Sequence, residues 1–117
     1  MKLRVLLLSV VAAVGLTFAS VALSQSRATK TTIVKVTAKE FKFVLSAKSV
    51  HHGALAFTVT NRGKLPHDFL IGGKKTALIL PGKTVTLKLT LGKGTKAYKC
   101  TVPGHAAAGM KGVLKVT

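Results

Sequence analysis

The most distinctive chemistry of the chain lies in one C-terminal stretch, residues 98–112. It contains the only cysteine, Cys100, together with His105 and Met110, which is the only methionine besides Met1. A thiolate, an imidazole and a thioether are soft or borderline ligands, and such ligands suit copper rather than magnesium or calcium. Their occurrence together in one short segment therefore indicates a copper site.

A copper site of this kind needs one further ligand. Copper centres that transfer electrons are typically built from two histidines and one cysteine in a trigonal arrangement, with a methionine as a weak axial ligand. The second histidine must come from outside the C-terminal stretch, and we choose His67 as that residue. The predicted ligand set is therefore His67, Cys100, His105 and Met110.

Each of these residues also has an ordinary structural interpretation. A lone buried cysteine commonly behaves as a small hydrophobic residue, and methionine commonly fills gaps in a core. The copper hypothesis depends on the joint pattern, because Cys100, His105 and Met110 are separated by proline and glycine rather than by helix-forming residues. His51 and His52 are weaker candidates. Adjacent residues of an extended segment point in opposite directions, which favours an exposed turn over a shared metal site.

The spacing of the C-terminal stretch resembles that of a known protein family. The run Cys100-Thr-Val-Pro-Gly-His105, with Met110 and then Lys111-Gly112 after it, is similar to the copper-binding loop of the cupredoxins, the family of plastocyanin, azurin and auracyanin. Four residues separate the cysteine from the histidine and four separate the histidine from the methionine, as in the auracyanin variant. The resemblance extends to residues 65–69 and, more loosely, to residues 31–117.

The resemblance implies a mononuclear type 1 copper site that alternates between Cu(I) and Cu(II). It further implies a protein that carries single electrons between redox partners and is not an enzyme. In the family, the histidine between the cysteine and the methionine reaches the surface through an apolar patch and is the route for electrons. That role falls on His105, whose neighbours in the loop are small and uncharged.

One residue departs from the family pattern. Asp68 stands where the family usually has an asparagine after the first histidine. A carboxylate at this position could accept a hydrogen bond from the Thr101 hydroxyl or from a backbone N–H, and would then link the two ligand segments as outer-shell groups do. It would also add negative charge near the metal, so we expect an effect on the redox potential.

Length and composition predict one small domain that follows a processed leader. Residues 1–24 have the basic start, apolar run and small residues of a signal peptide, and we place cleavage before Gln25. The uncharged run from Val5 to Leu23 approaches membrane-spanning length, so an uncleaved N-terminal anchor is the alternative. Residues 25–30 form a polar linker, and residues 31–117 form the domain. Either way, we expect the domain outside the cytoplasm, as a periplasmic, secreted or cell-surface protein.

The chain is strongly basic. Without Lys2 and Arg4, 17 of its 19 basic residues remain, against Glu40 and Asp68 as the only acidic ones. Such a charge raises the rate of encounter with acidic partners, especially at low salt. We expect redox proteins with acidic docking surfaces or an anionic envelope surface as partners. The lysines are scattered and aromatic residues are few, which argues against nucleic-acid binding. We expect a monomer.

The pattern of residues 31–117 predicts an all-β fold. Short runs of valine, threonine, isoleucine and phenylalanine alternate with glycine and proline, and no helix-length amphipathic pattern occurs. In residues 84–91, apolar side chains alternate with threonine and lysine, the period of a half-buried strand. We predict a Greek-key β-sandwich or barrel of about eight strands. These are residues 32–38, 41–46, 54–60, 67–71, 76–80, 84–91, 94–100 and 112–117.

Two other functions stay open at this level. A protein for copper storage, delivery or resistance would use the same ligands but would exchange the metal readily. A basic envelope-binding protein could hold a merely structural metal. Enzymatic copper chemistry is less favoured, because a copper oxidase or nitrite reductase needs a further copper with its own histidines, and only His51 and His52 remain.

Overall fold

The computed structural model describes residues 12–22 and 30–117. Residues 30–117 form nine strands and no helix. The strands are β1 (Thr32–Lys39), β2 (Lys42–Leu45), β3 (Ser49–Val50), β4 (Gly53–Asn61), β5 (Leu70–Ile71), β6 (Lys74–Lys75), β7 (Thr84–Leu91), β8 (Gly94–Lys99) and β9 (Lys111–Val116).

Much of the predicted leader lies outside the described residues. This holds for residues 1–11, for the predicted cleavage position before Gln25, and for the linker up to residue 29. Residues 12–22 have no regular secondary structure. Within the two described ranges, no helix is both long and apolar enough to cross a membrane. The signal peptide and its boundary therefore stay predictions.

The strands form two sheets that share one core. The first sheet has the order β2-β1-β4-β7 and the second the order β3-β9-β8-β5-β6. Two pairings, β1 with β4 and β3 with β9, are parallel, and the others are antiparallel. Parallel neighbours cannot be joined by a tight hairpin, so the chain passes between the two sheets. The predicted all-β sandwich is confirmed.

Side-chain alternation explains why the sheets pack together. In β7, Leu87, Leu89 and Leu91 are buried, whereas the residues between them are exposed. The same alternation in β1 turns Val34 and Val36 into the core. Fully burying a valine, leucine or phenylalanine side chain is worth about 1.5–3 kcal/mol, so these inward rows are the main force that joins the sheets.

One predicted strand is too long, one is absent, and two short strands, β3 and β6, were missed. Of the predicted strand 67–71 only β5 forms, and the predicted strand 76–80 is reduced to a single bridge between Ile79 and His67. The reason lies in Gly72 and Gly73, whose φ angles of 57° and 76° form a turn that pairs β5 with β6 directly. Strand β3 is too short to produce a visible alternation.

A buried asparagine fixes the irregular segment that precedes His67. The Asn61 amide donates hydrogen bonds of 2.8 Å to the carbonyl oxygens of Leu65 and Ile79. Its Oδ1 accepts a hydrogen bond of 2.8 Å from the Gly63 N–H. Asn61 is fully buried at the end of β4. Its side chain therefore satisfies backbone groups of the following segment that a regular strand would satisfy by pairing with a neighbour.

We predict that Asn61→Ala lowers the free energy of unfolding by about 3 kcal/mol, because one buried and two partly buried hydrogen bonds lose a partner at about 1 kcal/mol each. Urea denaturation measures the change. Thr60→Ala is the matched control: it removes one exposed hydroxyl contact, to Thr84, and we expect a loss under about 1 kcal/mol. Equal losses in the two variants would contradict the role assigned to Asn61.

Candidate metal centre

His67 is placed by the irregular segment between β4 and β5 rather than by a strand. Its backbone pairs with Ile79, with the His67 N–H donating at 3.1 Å and the His67 carbonyl accepting at 2.7 Å. Two residues further on, Phe69 is also fully buried, so the two side chains share the inward face as the period-two pattern predicts. His67 thus enters the core at one end of the sandwich.

Cys100 and Met110 close the loop that joins β8 to β9. The Cys100 N–H donates to the Met110 carbonyl at 3.0 Å, and the Met110 N–H donates to the His105 carbonyl at 3.1 Å. Gly104 and Gly109 adopt φ angles of 84° and 115°, which a residue with a Cβ rarely adopts. The glycines therefore allow a compact loop that returns His105 towards Cys100.

The structure brings three of the predicted ligands together. One donor atom from each of His67, Cys100 and His105 lies within 4.8 Å of the others, and all three residues are buried. The two Nδ1 atoms are 3.1 Å apart, and the Cys100 Sγ lies 3.6 Å from the His105 Nδ1. Met110 is fully buried at the base of the same loop.

These donors fit a copper ion. Ligand atoms of first-row metals lie about 2.0–2.3 Å from the ion, so donors around one ion are roughly 3–4 Å apart. Burial raises the pKa of the Cys100 thiol, although hydrogen bonds from the backbone N–H groups of Asp68 and Val102 oppose this effect. Since the metal binds the thiolate, loading the site must displace the thiol proton.

Asp68 links the two segments that carry the donors. Its Oδ1 accepts a hydrogen bond from the Thr101 N–H, and its Oδ2 accepts one from the Thr101 hydroxyl. Both bonds expected from the sequence are thus present. Because Asp68 follows His67 and Thr101 follows Cys100, this bidentate contact fixes the separation of the two ligand segments.

A second carboxylate, that of Glu40, lies at the site, and no pattern in the sequence indicates it. In the sequence, Glu40 stands out only as one of the two acidic residues, beside Lys39. Its Oε1 lies 3.2 Å from the His67 Nε2 and accepts hydrogen bonds of 2.7 Å from the N–H groups of Lys64 and Leu65. These contacts, chiefly that with the Leu65 N–H, lower the pKa of Glu40 to about 2. Glu40 lies in the turn between β1 and β2, and only the contact between this turn and residues 63–67 reveals its role.

The same turn also covers the second histidine. The Phe41 ring packs edge to face on the His105 ring, with their centroids 5.0 Å apart. His105 is only 8% exposed, whereas Phe41 and Leu65 are 38% and 43% exposed. Pro103 is also exposed. The end of the sandwich that holds the donors therefore has an apolar surface.

The remaining histidines take no part in this cluster. The backbone N–H and the ring Nδ1 of His52 both lie within 2.9 Å of the Thr117 carbonyl, and the His51 Nδ1 lies 3.2 Å from the Thr117 hydroxyl. Both side chains are exposed. Their contacts tie the C-terminus to the segment between β3 and β4.

The two-sheet fold and the cluster of two histidines and one cysteine define a cupredoxin. The sequence matches the family of copper binding proteins described as the plastocyanin/azurin family over residues 6–117. The chain belongs to this family, and copper is its metal. No curated protein matches the chain in a sequence search.

Solved structures share the fold at low sequence identity. Reduced auracyanin from Roseiflexus castenholzii is 23% identical with a TM-score of 0.63, over 77% of this chain and 99% of that one. Auracyanin A from Chloroflexus aurantiacus, described as a "blue" copper protein, is 20% identical with a TM-score of 0.63, over 75% and 100%. Rusticyanin from Thiobacillus ferrooxidans is 24% identical with a TM-score of 0.64, over 75% and 78%.

We predict that Asp68→Asn retains copper binding but raises the redox potential. The amide keeps an oxygen that can accept from the Thr101 N–H, while loss of the negative charge favours the less positive metal ion. Copper content and protein-film voltammetry measure the two effects. Asp68→Ala, which removes both acceptors, is the comparison and should also weaken copper retention. Loss of copper in Asp68→Asn itself would contradict the prediction.

Proposed function

We propose that this protein is an electron carrier that holds one type 1 copper through His67, Cys100, His105 and Met110. The observation that carries the proposal is the convergence of three buried donor atoms within 4.8 Å, two imidazole nitrogens and one sulfur. In this proposal Met110, which is buried at the base of the loop, would be the fourth and weaker ligand. Copper, when bound, supplies one-electron chemistry between Cu(I) and Cu(II).

The residues around the site keep its geometry constant. His67 is held by its backbone bridge to Ile79, and the loop from Thr101 to Met110 is held by its own backbone hydrogen bonds. The Asp68–Thr101 contact joins the two segments. Donors that cannot move apart suit both oxidation states without rearrangement, and burial excludes water from the metal position.

His105 is the proposed route for electrons. Its ring lies beneath an apolar surface formed by exposed parts of Phe41, Leu65 and Pro103, together with Ala107 and Ala108. Small and apolar side chains allow close approach by a partner, because little polar surface must be desolvated. Electrons would enter and leave at this end of the sandwich.

An acidic redox protein is the proposed partner, and the lysines next to the ligands are its proposed contacts. Lys99 precedes Cys100, Lys111 follows Met110, and the two are direct cross-strand partners. Leu70 of β5 pairs with Lys99 of β8 on one side and with Lys75 of β6 on the other, so Lys75 lies on the same line across the sheet. All three lysines are exposed. Like charges directly opposite one another destabilise a sheet, so a partner that neutralises them would gain binding energy there.

The proposed location is outside the cytoplasm, after removal of residues 1–24. The charge pattern of that leader supports this location. A single thiol also suits an oxidising compartment when a metal occupies it. We propose a carrier rather than an enzyme, because the two histidines outside the cluster contact Thr117 instead of forming a second metal site in residues 30–117.

Residues 25–117 with stoichiometric Cu(II) test the proposed function. We expect an intense blue thiolate-to-copper absorption band and narrow copper hyperfine splitting, bleached by ascorbate and restored on reoxidation. Cys100→Ser should lose the band. A pale, ordinary copper spectrum would contradict the proposal. Rapid loss of copper to a chelator, together with slow electron self-exchange, would instead support copper storage or delivery.

The docking proposal predicts a local charge effect on electron transfer. The probe is hexacyanoferrate(III), an anion that accepts one electron from the reduced protein. At low ionic strength, Lys99→Gln/Lys111→Gln should lower the rate constant about three- to tenfold, because charges near the electron exit steer anions most strongly. The difference should shrink in high salt.

Lys35→Gln/Lys88→Gln is the matched control for this docking prediction. It removes the same charge from the outer face of the other sheet, where both lysines are exposed. We expect its effect to stay below about twofold, because the charges are not adjacent to the ligands. Equal effects of the two double variants would contradict a docking role for Lys99 and Lys111.

A further inference from the structure

The turn between β1 and β2 lies against both histidines of the metal centre. Glu40 contacts the ring of His67 and the next residue, Phe41, packs on the ring of His105. Glu40 belongs to neither of the two segments that carry the donors. The turn is thus a third structural element of the centre, contributed by the edge of the other sheet.

The contact with Glu40 determines which nitrogen of His67 carries a proton. A carboxylate only accepts hydrogen bonds, so in the neutral imidazole the His67 Nε2 carries the proton and donates in the 3.2 Å contact. The Nδ1 then keeps its lone pair. That atom is the one that lies 3.1 Å from the His105 Nδ1, inside the donor cluster.

The carboxylate is itself held firmly in place. The N–H groups of Lys64 and Leu65 donate to the same oxygen that contacts His67. Gly63 lies so close to the carboxylate that a Cβ at this position would overlap it. The absence of a side chain at Gly63 therefore allows Glu40 to reach the ring.

We propose that Glu40 is a positioning residue of the copper centre, which fixes the orientation and tautomer of His67 and increases the electron donation of its Nδ1. The inference rests on the copper site proposed above. Hydrogen-bonded carboxylates behind ligating histidines raise the basicity of the imidazole, and their loss typically changes metal affinity by 10–100-fold. A more basic imidazole and a nearby negative charge both favour Cu(II) over Cu(I).

A purely structural alternative exists, because Glu40 also holds residues 64 and 65. Glu40→Gln separates the two roles. The glutamine side-chain oxygen can still accept from these N–H groups, so the segment keeps its anchor, but the charge behind His67 is lost. Asp68→Asn is the matched control, since it removes the only other acidic side chain of the chain. Asp68 contacts Thr101 rather than an imidazole.

The experiment compares the copper-loaded proteins by voltammetry and by ¹⁵N NMR of the histidine rings in the Cu(I) state. For Glu40→Gln we expect the ratio of Cu(I) to Cu(II) at a fixed applied potential to rise about tenfold. This corresponds to a redox potential that is higher by about 59 mV for a one-electron couple. For Asp68→Asn we expect a smaller rise of about two- to threefold, because the Asp68 carboxylate faces Thr101 and Cys100 and contacts no imidazole. The His67 Nε2–H resonance should shift upfield in Glu40→Gln but not in Asp68→Asn.

Gly63→Ala is a second variant that leaves the charge in place. Its methyl group should displace the carboxylate from His67, so the Nε2–H resonance should shift as in Glu40→Gln. Equal shifts in potential for Glu40→Gln and Asp68→Asn, or an unchanged Nε2–H resonance in Glu40→Gln, would overturn the inference. A wild-type protein without the blue band would instead overturn the proposed copper site, so the two failures are distinguishable.

Discussion

The structure depends on holding three polar donors together in a site that is largely shielded from water. A buried imidazole or thiol is costly unless it has a partner, and the nearest partners of these groups are one another. The chain meets this constraint by connecting the donor segments to the rest of the sandwich. Asp68 binds Thr101, and Asn61 holds the segment that leads to His67. The metal centre is therefore largely formed by the protein itself.

This constraint also explains why the fold is irregular near the centre. A continuous strand through His67 would pair its backbone over several residues, but the structure pairs it only with Ile79. The Asn61 amide occupies the Ile79 carbonyl as well, which leaves less of that segment free for strand pairing. On the other side, the loop after Cys100 uses two glycines with positive φ to turn within a few residues. Regular strands thus end where the donors begin.

Much of the fold and of the centre could be predicted from the sequence. The alternation in β7 and the turn residues indicated a sandwich, because a half-buried strand requires period two. His67, which was chosen as the second histidine, lies beside Cys100 and His105 of the C-terminal loop. Glu40 could not be found in this way. Its role depends on the contact of the β1–β2 turn with residues 63–67, and no periodic pattern encodes such a long-range contact. The apolar composition of residues 76–80 led to their prediction as a strand. Composition alone does not reveal that the Asn61 amide binds the Ile79 carbonyl, which a regular strand would use for pairing.

The distribution of charge connects the centre with the surface. The chain has only two acidic residues, and both have their carboxylates engaged at the end of the sandwich that holds the donors. The exposed lysines elsewhere consequently have no side-chain carboxylate to neutralise them, and the outer faces of both sheets are positive. Negative charge behind the ligands favours the more highly charged metal ion, whereas positive charge outside attracts acidic partners. The two effects act at different distances. A lysine on the surface can change the rate of association without changing the electron donation of the ligands. A carboxylate behind a histidine can change that electron donation without changing the docking surface.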